Sequence, residues 1–252
     1  MQETVLDLSG SMEERGWRLL RSSMEKVYAD FARTVLAWAL SLSRLSPGWE
    51  WKRNKFAQLD LSLAQEKEAG AAVEAARVSL LQRCDEIGRA LLEEAETGVR
   101  DGLQLTAVKI LRTMTGEGEQ LRHCDIIKLA RALGCRTVLM YLTPTLSTAL
   151  CSCIPRDQQE ELSYHTGWRL SEKYMSKKKF ASVRVQPGDA AVFTGATCHY
   201  GVANPDREDR YVLFLMYSEK GKRALDTEGQ RYPGGVAHER RNGVLVEVEN
   251  QK

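Results

Sequence analysis

His123, Cys124 and Asp125, read together with His199 and Arg210 far downstream, are the side chains of this chain best placed to do chemistry. They can offer two imidazole nitrogens, one carboxylate and one guanidinium to a single centre. Two neutral nitrogens and one anionic oxygen on one face of an octahedral ion leave the opposite face open, a ligand set suited to ferrous ion in oxygen chemistry. Side chains two apart leave the same side of an extended segment. His123 and Asp125 can therefore reach one ion from a strand end or loop edge, whereas a helix would splay them apart.

Stretches of alternating and β-branched residues supply the elements that must position these groups. Residues 105–112 predict a strand that leads through the loop 115–119 toward His123. Residues 183–201 predict a strand, a Pro187-Gly188-Asp189 turn, a short apolar strand and a Gly-bounded loop that delivers His199. Past the polar turn 204–209, residues 210–217 are the most strand-like run in the chain, with Arg210 at its mouth. The turn predicts a hairpin, which would carry Arg210 back toward the loop that holds His199.

Taken in this order, the motifs resemble a 2-oxoglutarate-dependent Fe(II) dioxygenase of the double-stranded β-helix type, a jelly-roll or cupin-like fold. In that family an HxD pair, a distal His preceded by a Gly-Asp-x-x-x-Phe strand, and a following Arg or Lys recur together. Here they are His123 and Asp125, His199 with Gly188, Asp189 and Phe193 before it, and Arg210. The resemblance spans residues 105–217.

It implies Fe(II) held by His123, Asp125 and His199. It further implies 2-oxoglutarate with its distal carboxylate clamped by the planar fork of Arg210, and O2 as the second cosubstrate. The implied products are succinate, carbon dioxide and a substrate hydroxylated at a C–H bond. Tyr141 lies in a strand resembling one that donates a tyrosine hydroxyl to the cosubstrate in prolyl-hydroxylase-like members; a core tyrosine with a satisfied hydroxyl is the equal alternative. Two departures stand out. Residues 145–153 replace the Gly-Gly-Glu-Thr segment of that subgroup, and Val212 stands two positions past Arg210, where some related enzymes carry a small hydroxyl residue.

Plainer readings stand beside these. Arg210 could be a strand-edge arginine paired with Asp206, Glu208 or Asp209. His165 and His238 sit in polar surroundings and read as solvated or locally hydrogen-bonded. Cys124 and Cys198 read as small core residues, and Cys151-Ser152-Cys153 lacks the second pair that a zinc site needs. A jelly-roll enzyme using another metal without the oxo acid, or a noncatalytic binding module, are the competing functional classes.

Composition sets limits. The 252 residues, 43% hydrophobic, suffice for a sizeable core. Lys plus Arg total 36 against 34 Asp plus Glu, so no global charge points to nucleic acid or membrane. A protein side chain or small molecule is therefore the expected substrate ahead of a nucleobase. The basic run 173–180, interleaved with aromatics, reads as a solvated loop, with guidance of an anionic substrate as the alternative. No apolar stretch is long enough for a membrane helix, no secretory signal is evident, and six unframed cysteines read as reduced thiols. The expectation is an intracellular, cytoplasmic protein.

Apolar residues from Trp17 to Leu42 recur at three-and-four spacing, which predicts one or two amphipathic helices over 13–45, stopped by Pro47-Gly48. A second helical stretch runs from about Ala64 to Glu96, with Gly70 as a possible break. The expected chain is thus α+β: a helical region over 1–100 that braces the core, a double-stranded β-helix over 101–220, and a polar extension over 221–252 closing with a strand at 244–248.

Overall fold

A computed structural model describes residues 12, 16–21, 26–45, 56–60, 71–96, 98, 102–120, 122–123, 134–146, 148–153, 180, 184–195, 197–219, 237–241 and 244–248. For 56–60, 71–74, 145–153, 237–241 and 244–248, among others, only the backbone is described.

The strongest alternation in the sequence makes the centre of the molecule. Strand β10 (Arg210–Glu219) sends Val212, Phe214 and Met216 to one apolar cluster and Leu213, Leu215 and Tyr217 to another. A strand buried on both faces in this way belongs in the middle of a sheet. It pairs antiparallel on one edge with β3 (Leu103–Thr113) and on the other with β4 (Cys135–Tyr141). Beyond β4 follow β8 (Ala190–Thr194) and β1 (Trp17–Leu20). The outer edge of β3 is shared by β2 (Phe56–Asp60) and β11 (Ala237–Arg241), which in turn pairs with β12 (Val244–Val248). Eight antiparallel strands result. Two smaller two-stranded sheets pair β5 (Thr145–Leu146) with β7 (Arg184–Val185), and β6 (Thr148–Cys153) with β9 (Thr197–Gly201).

One irregularity keeps β3 in phase with both clusters. Leu103 and Leu105 face the same cluster as Val108 and Ile110, although the two pairs differ in parity. The register shift opposite Met216 and Tyr217 inserts Thr106 as an extra residue, and its hydroxyl donates to Met216 O at 3.0 Å. Such a bulge restores the inward face that a uniform period of two would have turned over.

The two helices cover one face of the large sheet. Helix α1 (Lys26–Leu45) contributes Tyr28, Phe31, Ala32 and Val35, and helix α2 (Ala71–Ala95) contributes Leu80, Leu81, Cys84, Ile87, Leu91, Leu92 and Ala95 to the cluster that holds Leu213, Leu215 and Tyr217. The three-and-four spacing is what makes each stripe continuous. Within this layer Arg89 pairs with Asp85 at 2.9 Å, one turn earlier on α2, and both are buried. The guanidinium also lies 5.7 Å from the Tyr217 ring centroid. Burial pushes the Cys84 thiol and the Tyr217 hydroxyl up from their ordinary values, so both stay protonated.

Gly88 allows α2 to approach β10 this closely. A Cβ there would stand 2.1 Å from Tyr217 Oη and 2.7 Å from Leu215 Cδ1. Alanine is the better helix former by about 1 kcal/mol, but overpacking a filled core costs about 1–3 kcal/mol, and both neighbours are buried. Gly88→Ala is expected to lower the thermal midpoint; a higher midpoint would show that helix propensity wins at this contact.

Three features differ from the sequence-based expectation. The run from 13 to 45 is not all helix: Gly16 has a positive φ of 74°, and Trp17–Leu20 pairs with β8 as an edge strand. Trp17 and Leu20, three apart, fit a helical stripe, yet they serve opposite faces of the sheet. Strands β2 and β11, neither foreseen, extend the large sheet on the far side of β3. The turn after β9 does not close a hairpin, because both edges of β10 are already occupied by β3 and β4; the chain crosses there from a small sheet to the large one. The strand at 244–248 forms as expected. Among the described residues no helix is long and apolar enough to cross a membrane.

Candidate metal and cosubstrate site

The small sheet brings the two distant imidazoles together. His123 and His199 face each other as an isolated antiparallel bridge, with His123 N donating to His199 O at 2.9 Å and His199 N donating to His123 O at 2.8 Å. Side chains of directly opposed residues leave the same face. The ring centroids are 4.4 Å apart at 53°, close enough for one ion bonded at about 2 Å to a nitrogen of each ring.

His199 faces the large sheet. Its ring centroid lies 4.7 Å from that of Phe193 on β8, and the residue is buried. Its Nδ1 is 3.0 Å from Thr197 O. A carbonyl only accepts, so Nδ1 carries the hydrogen and Nε2 keeps its lone pair for a ligand. Tyr200, next along β9, faces the other way. It packs against Phe180, with ring centroids 5.1 Å apart, and the Arg122 guanidinium lies 5.3 Å from Tyr200 and 5.6 Å from Phe180. This cation–aromatic cluster backs the two histidine-bearing segments from outside.

Among the described residues no group of three or more His, Cys, Asp or Glu side chains is placed to hold a metal; Asp125, the third expected ligand, lies outside them, as do Cys124, His165 and residues 173–179. Cys198, between Thr197 and His199, is buried, in keeping with a small core residue.

Arg210 opens β10 directly opposite Thr113 and is 4% exposed. Its Nη2 donates to Thr113 Oγ1 at 3.1 Å and to Val202 O at 2.7 Å. The crossing turn thus brings the guanidinium beside the end of β9 without a hairpin. Burial lowers its pKa, and the nearby Tyr141 and Asp206 partly offset that; an arginine remains charged regardless. A buried, desolvated guanidinium is a strong receptor for a carboxylate.

Of the acids that could pair with Arg210, Asp209 is engaged by Arg112 and Thr115, while the Asp206 charge acts on Arg210 itself. Asp209 accepts from Arg112 Nε at 2.7 Å and from Thr115 N at 3.0 Å. Burial alone would raise the Asp209 pKa, but the Thr115 and Arg112 contacts outweigh it and hold the carboxyl below its ordinary value. A depressed carboxyl contributes stability that is full above its unfolded pKa, about 3.9, and that fades as pH falls through the lower folded value. Asp209→Asn should therefore lower the thermal midpoint at pH 7, with the gap to wild type narrowing below about pH 4. A gap independent of pH would show that the charge is irrelevant.

Tyr141 ends β4, is fully buried, and stands opposite Val212 on the face shared with Leu139 and Phe214. The face that meets His199 through Phe193 therefore also carries Tyr141, and Arg210 opens the same strand that holds Val212 and Phe214. Two further residues at this place escaped the sequence reading: Gln120, whose backbone and side chain both bond to Gly201, and Gly201 itself. A glycine two positions after the distal histidine was the only available signal.

No family model and no curated protein matches the chain. Its fold does match solved structures. The non-heme alpha ketoglutarate dependent carbocyclase SnoK from nogalamycin biosynthesis aligns with TM-score 0.58 at 15% identity, covering 86% of this chain and 85% of that one. The epimerase SnoN of the same biosynthesis aligns with TM-score 0.57 at 15% identity, covering 84% and 82%. HygX from Streptomyces hygroscopicus, solved with nickel and 2-oxoglutarate bound, aligns with TM-score 0.54 at 14% identity over 86% of each chain. The chain shares the overall fold of these three structures.

Proposed function

We propose that this protein is an Fe(II)- and 2-oxoglutarate-dependent oxygenase that oxidises a C–H bond of a small molecule or protein side chain. The observation that carries the reading is the meeting of His123 and His199 from segments far apart in sequence, with the buried Arg210 cation beside the end of the same strand. The donor set fits the group: His199 is held in the tautomer that frees Nε2 for a metal, and Asp125 is the natural third ligand. Strand order supports a double-stranded β-helix. From β3 onward the chain alternates between the large sheet and the small ones, passing His123, β4, β5 to β7, β8, β9 and β10 in turn.

When bound, Fe(II) and 2-oxoglutarate supply the oxidising equivalent, consuming O2 and releasing succinate and carbon dioxide. The chain's own residues do the rest. Arg210 clamps the distal carboxylate, Tyr141 orients the cosubstrate from the sheet, and Phe193 packs against the His199 ring and keeps water from it. Hydroxylation is the direct outcome. The similar structures are named as an epimerase and a carbocyclase, so the fate of the substrate carbon is to be read from the product. Arg210 speaks against a metal enzyme without an oxo acid and against a noncatalytic module. The nearly balanced charge favours a small molecule or protein over nucleic acid. The thiols of Cys84, Cys135 and Cys198 suit a reducing intracellular compartment, where ferrous ion also persists. The division into a 1–100 region whose two helices cover the sheet and whose strands β1 and β2 join it, a catalytic 101–220 and a C-terminal 221–252 belongs to the same proposal.

The test is succinate release from 2-oxoglutarate by the purified protein with Fe(II) and O2, by slow uncoupled turnover if no substrate is supplied. Formation that requires iron supports the reading. No succinate above that of His199→Ala would overturn it.

A further inference from the structure

We infer that Thr197 is a positioning residue for His199, and that its hydroxyl ties the proposed metal site to the turn at Gly16 that leads into β1. The inference rests on the proposed function. Thr197 is buried and is the first residue of β9. Its carbonyl oxygen lies 3.0 Å from His199 Nδ1, and its hydroxyl donates to Gly16 O at 2.8 Å. One residue thus bonds a proposed metal ligand through its backbone and the entry to an edge strand through its side chain.

The first of these bonds decides how the imidazole is presented. The rings of Phe193 and His123 pack against that of His199, with centroids 4.7 and 4.4 Å away. Such packing does not distinguish the ring from the same ring turned over by half a revolution, and the torsion that turns a histidine ring is broad. A hydrogen bond at Nδ1 does distinguish them: it selects one orientation and one tautomer and leaves Nε2 as the ligand. The position of Thr197 O therefore sets where that lone pair points.

Regular strand pairing does not hold this carbonyl. His199 stands opposite Leu150 and Thr197 opposite Cys153, so two steps along β9 match three along β6. A ladder is disrupted at such an irregularity, and the Gly16 bond brings support from a third element. Gly16, with φ of 74°, presents its oxygen to both Thr194 N at 2.9 Å and the Thr197 hydroxyl. The hydroxyls of Thr194 and Thr197 are 3.2 Å apart. A hydroxyl has one hydrogen, and that of Thr197 is committed to Gly16, so Thr194 is the donor between them. Two bonds at its hydroxyl and one at its carbonyl fix Thr197 from both ends.

The experiment compares Thr197→Val, which keeps the branched shape without the hydroxyl, with Thr197→Ser, which keeps the hydroxyl. Gly16 O retains Thr194 N as a donor in both. Long-range proton–nitrogen spectra of the iron-free protein at about pH 8, where an ordinary imidazole is neutral, locate the His199 hydrogen, and anaerobic calorimetry gives the Fe(II) affinity. Thr197→Val should show a mixture of His199 tautomers and bind Fe(II) about tenfold more weakly, the lower end of the range for partners of a metal ligand; Thr197→Ser should restore both. An unchanged tautomer or an unchanged Fe(II) constant in Thr197→Val would overturn the inference, as would a serine variant as weak as the valine one. If Thr197→Val does not fold, hydrogen exchange of the wild type decides: linked equilibria are reciprocal, so Fe(II) should slow exchange of the Thr194 amide that bonds Gly16, and no slowing there would overturn the inference. Wild-type protein that binds no Fe(II) would instead overturn the proposed function, while the tautomer spectra would still decide what Thr197 does for His199.

Discussion

Arg210→Ala is expected to weaken 2-oxoglutarate binding at least about 30-fold, because removing one partner of a buried, charge-assisted contact costs about 2–5 kcal/mol. Arg210 is 4% exposed, and its guanidinium is held by Thr113 and Val202. Arg210→Lys should recover little of this. An ammonium is a compact point charge, and it cannot bond Thr113 and Val202 while presenting a planar fork to a carboxylate. Anaerobic calorimetry with Fe(II) present gives both constants. If Arg210→Ala binds 2-oxoglutarate as wild type does, the arginine is a structural strand-edge residue and the cosubstrate pocket lies elsewhere.

Gly188→Ala is expected to lose about 2–5 kcal/mol of stability, from about 1–2 kcal/mol of left-handed backbone cost and about 1–3 kcal/mol of overpacking. Gly188 has φ of 93°, and a Cβ there would stand 2.7 Å from Ala29 N and 2.8 Å from Tyr28 C, backbone atoms in the first turn of α1. The turn has no room to relax. Gly188 N donates to Tyr141 O at 2.8 Å and Tyr141 N donates to Asp189 O at 2.9 Å, while Asp189 is pinned by Arg21 at 2.9 Å. A strained turn would therefore also disturb Tyr141. Thermal unfolding should show a fall on the order of 10 °C, at about 2–4 °C per kcal/mol for a chain of this size. A midpoint within a degree or two of wild type would mean that the turn repacks freely.

These two residues also show what the sequence could and could not disclose. Gly188-Asp189 before an apolar strand, and Arg210 at the mouth of another, are local patterns, and β8 and β10 lie where they predict. Helix α2 was equally visible, since Leu80, Cys84, Ile87 and Leu91 keep one stripe over its length. Trp17–Leu20 was misread because a three-residue spacing of apolar groups serves a helix and a two-faced edge strand alike, and only the pairing with β8 decides between them. The hairpin at 204–209 failed for a similar reason: a turn signal reports that the chain reverses, but not which edge of which strand is still vacant. Thr106 as a bulge, Gln120 folded over Gly201, and the nearness of Arg210 to β9 are properties of strands that meet only in three dimensions. No spacing along the chain encodes them.

Anaerobic titration with Fe(II) and 2-oxoglutarate, followed by the metal-to-ligand charge-transfer band, tests the central claim most directly. The account predicts a saturable band in wild-type protein that is lost in His199→Ala and in Asp125→Ala, since loss of a metal ligand costs more than the roughly 10–100-fold attached to outer partners. A wild-type protein without the band, or an undiminished band in either variant, would contradict it.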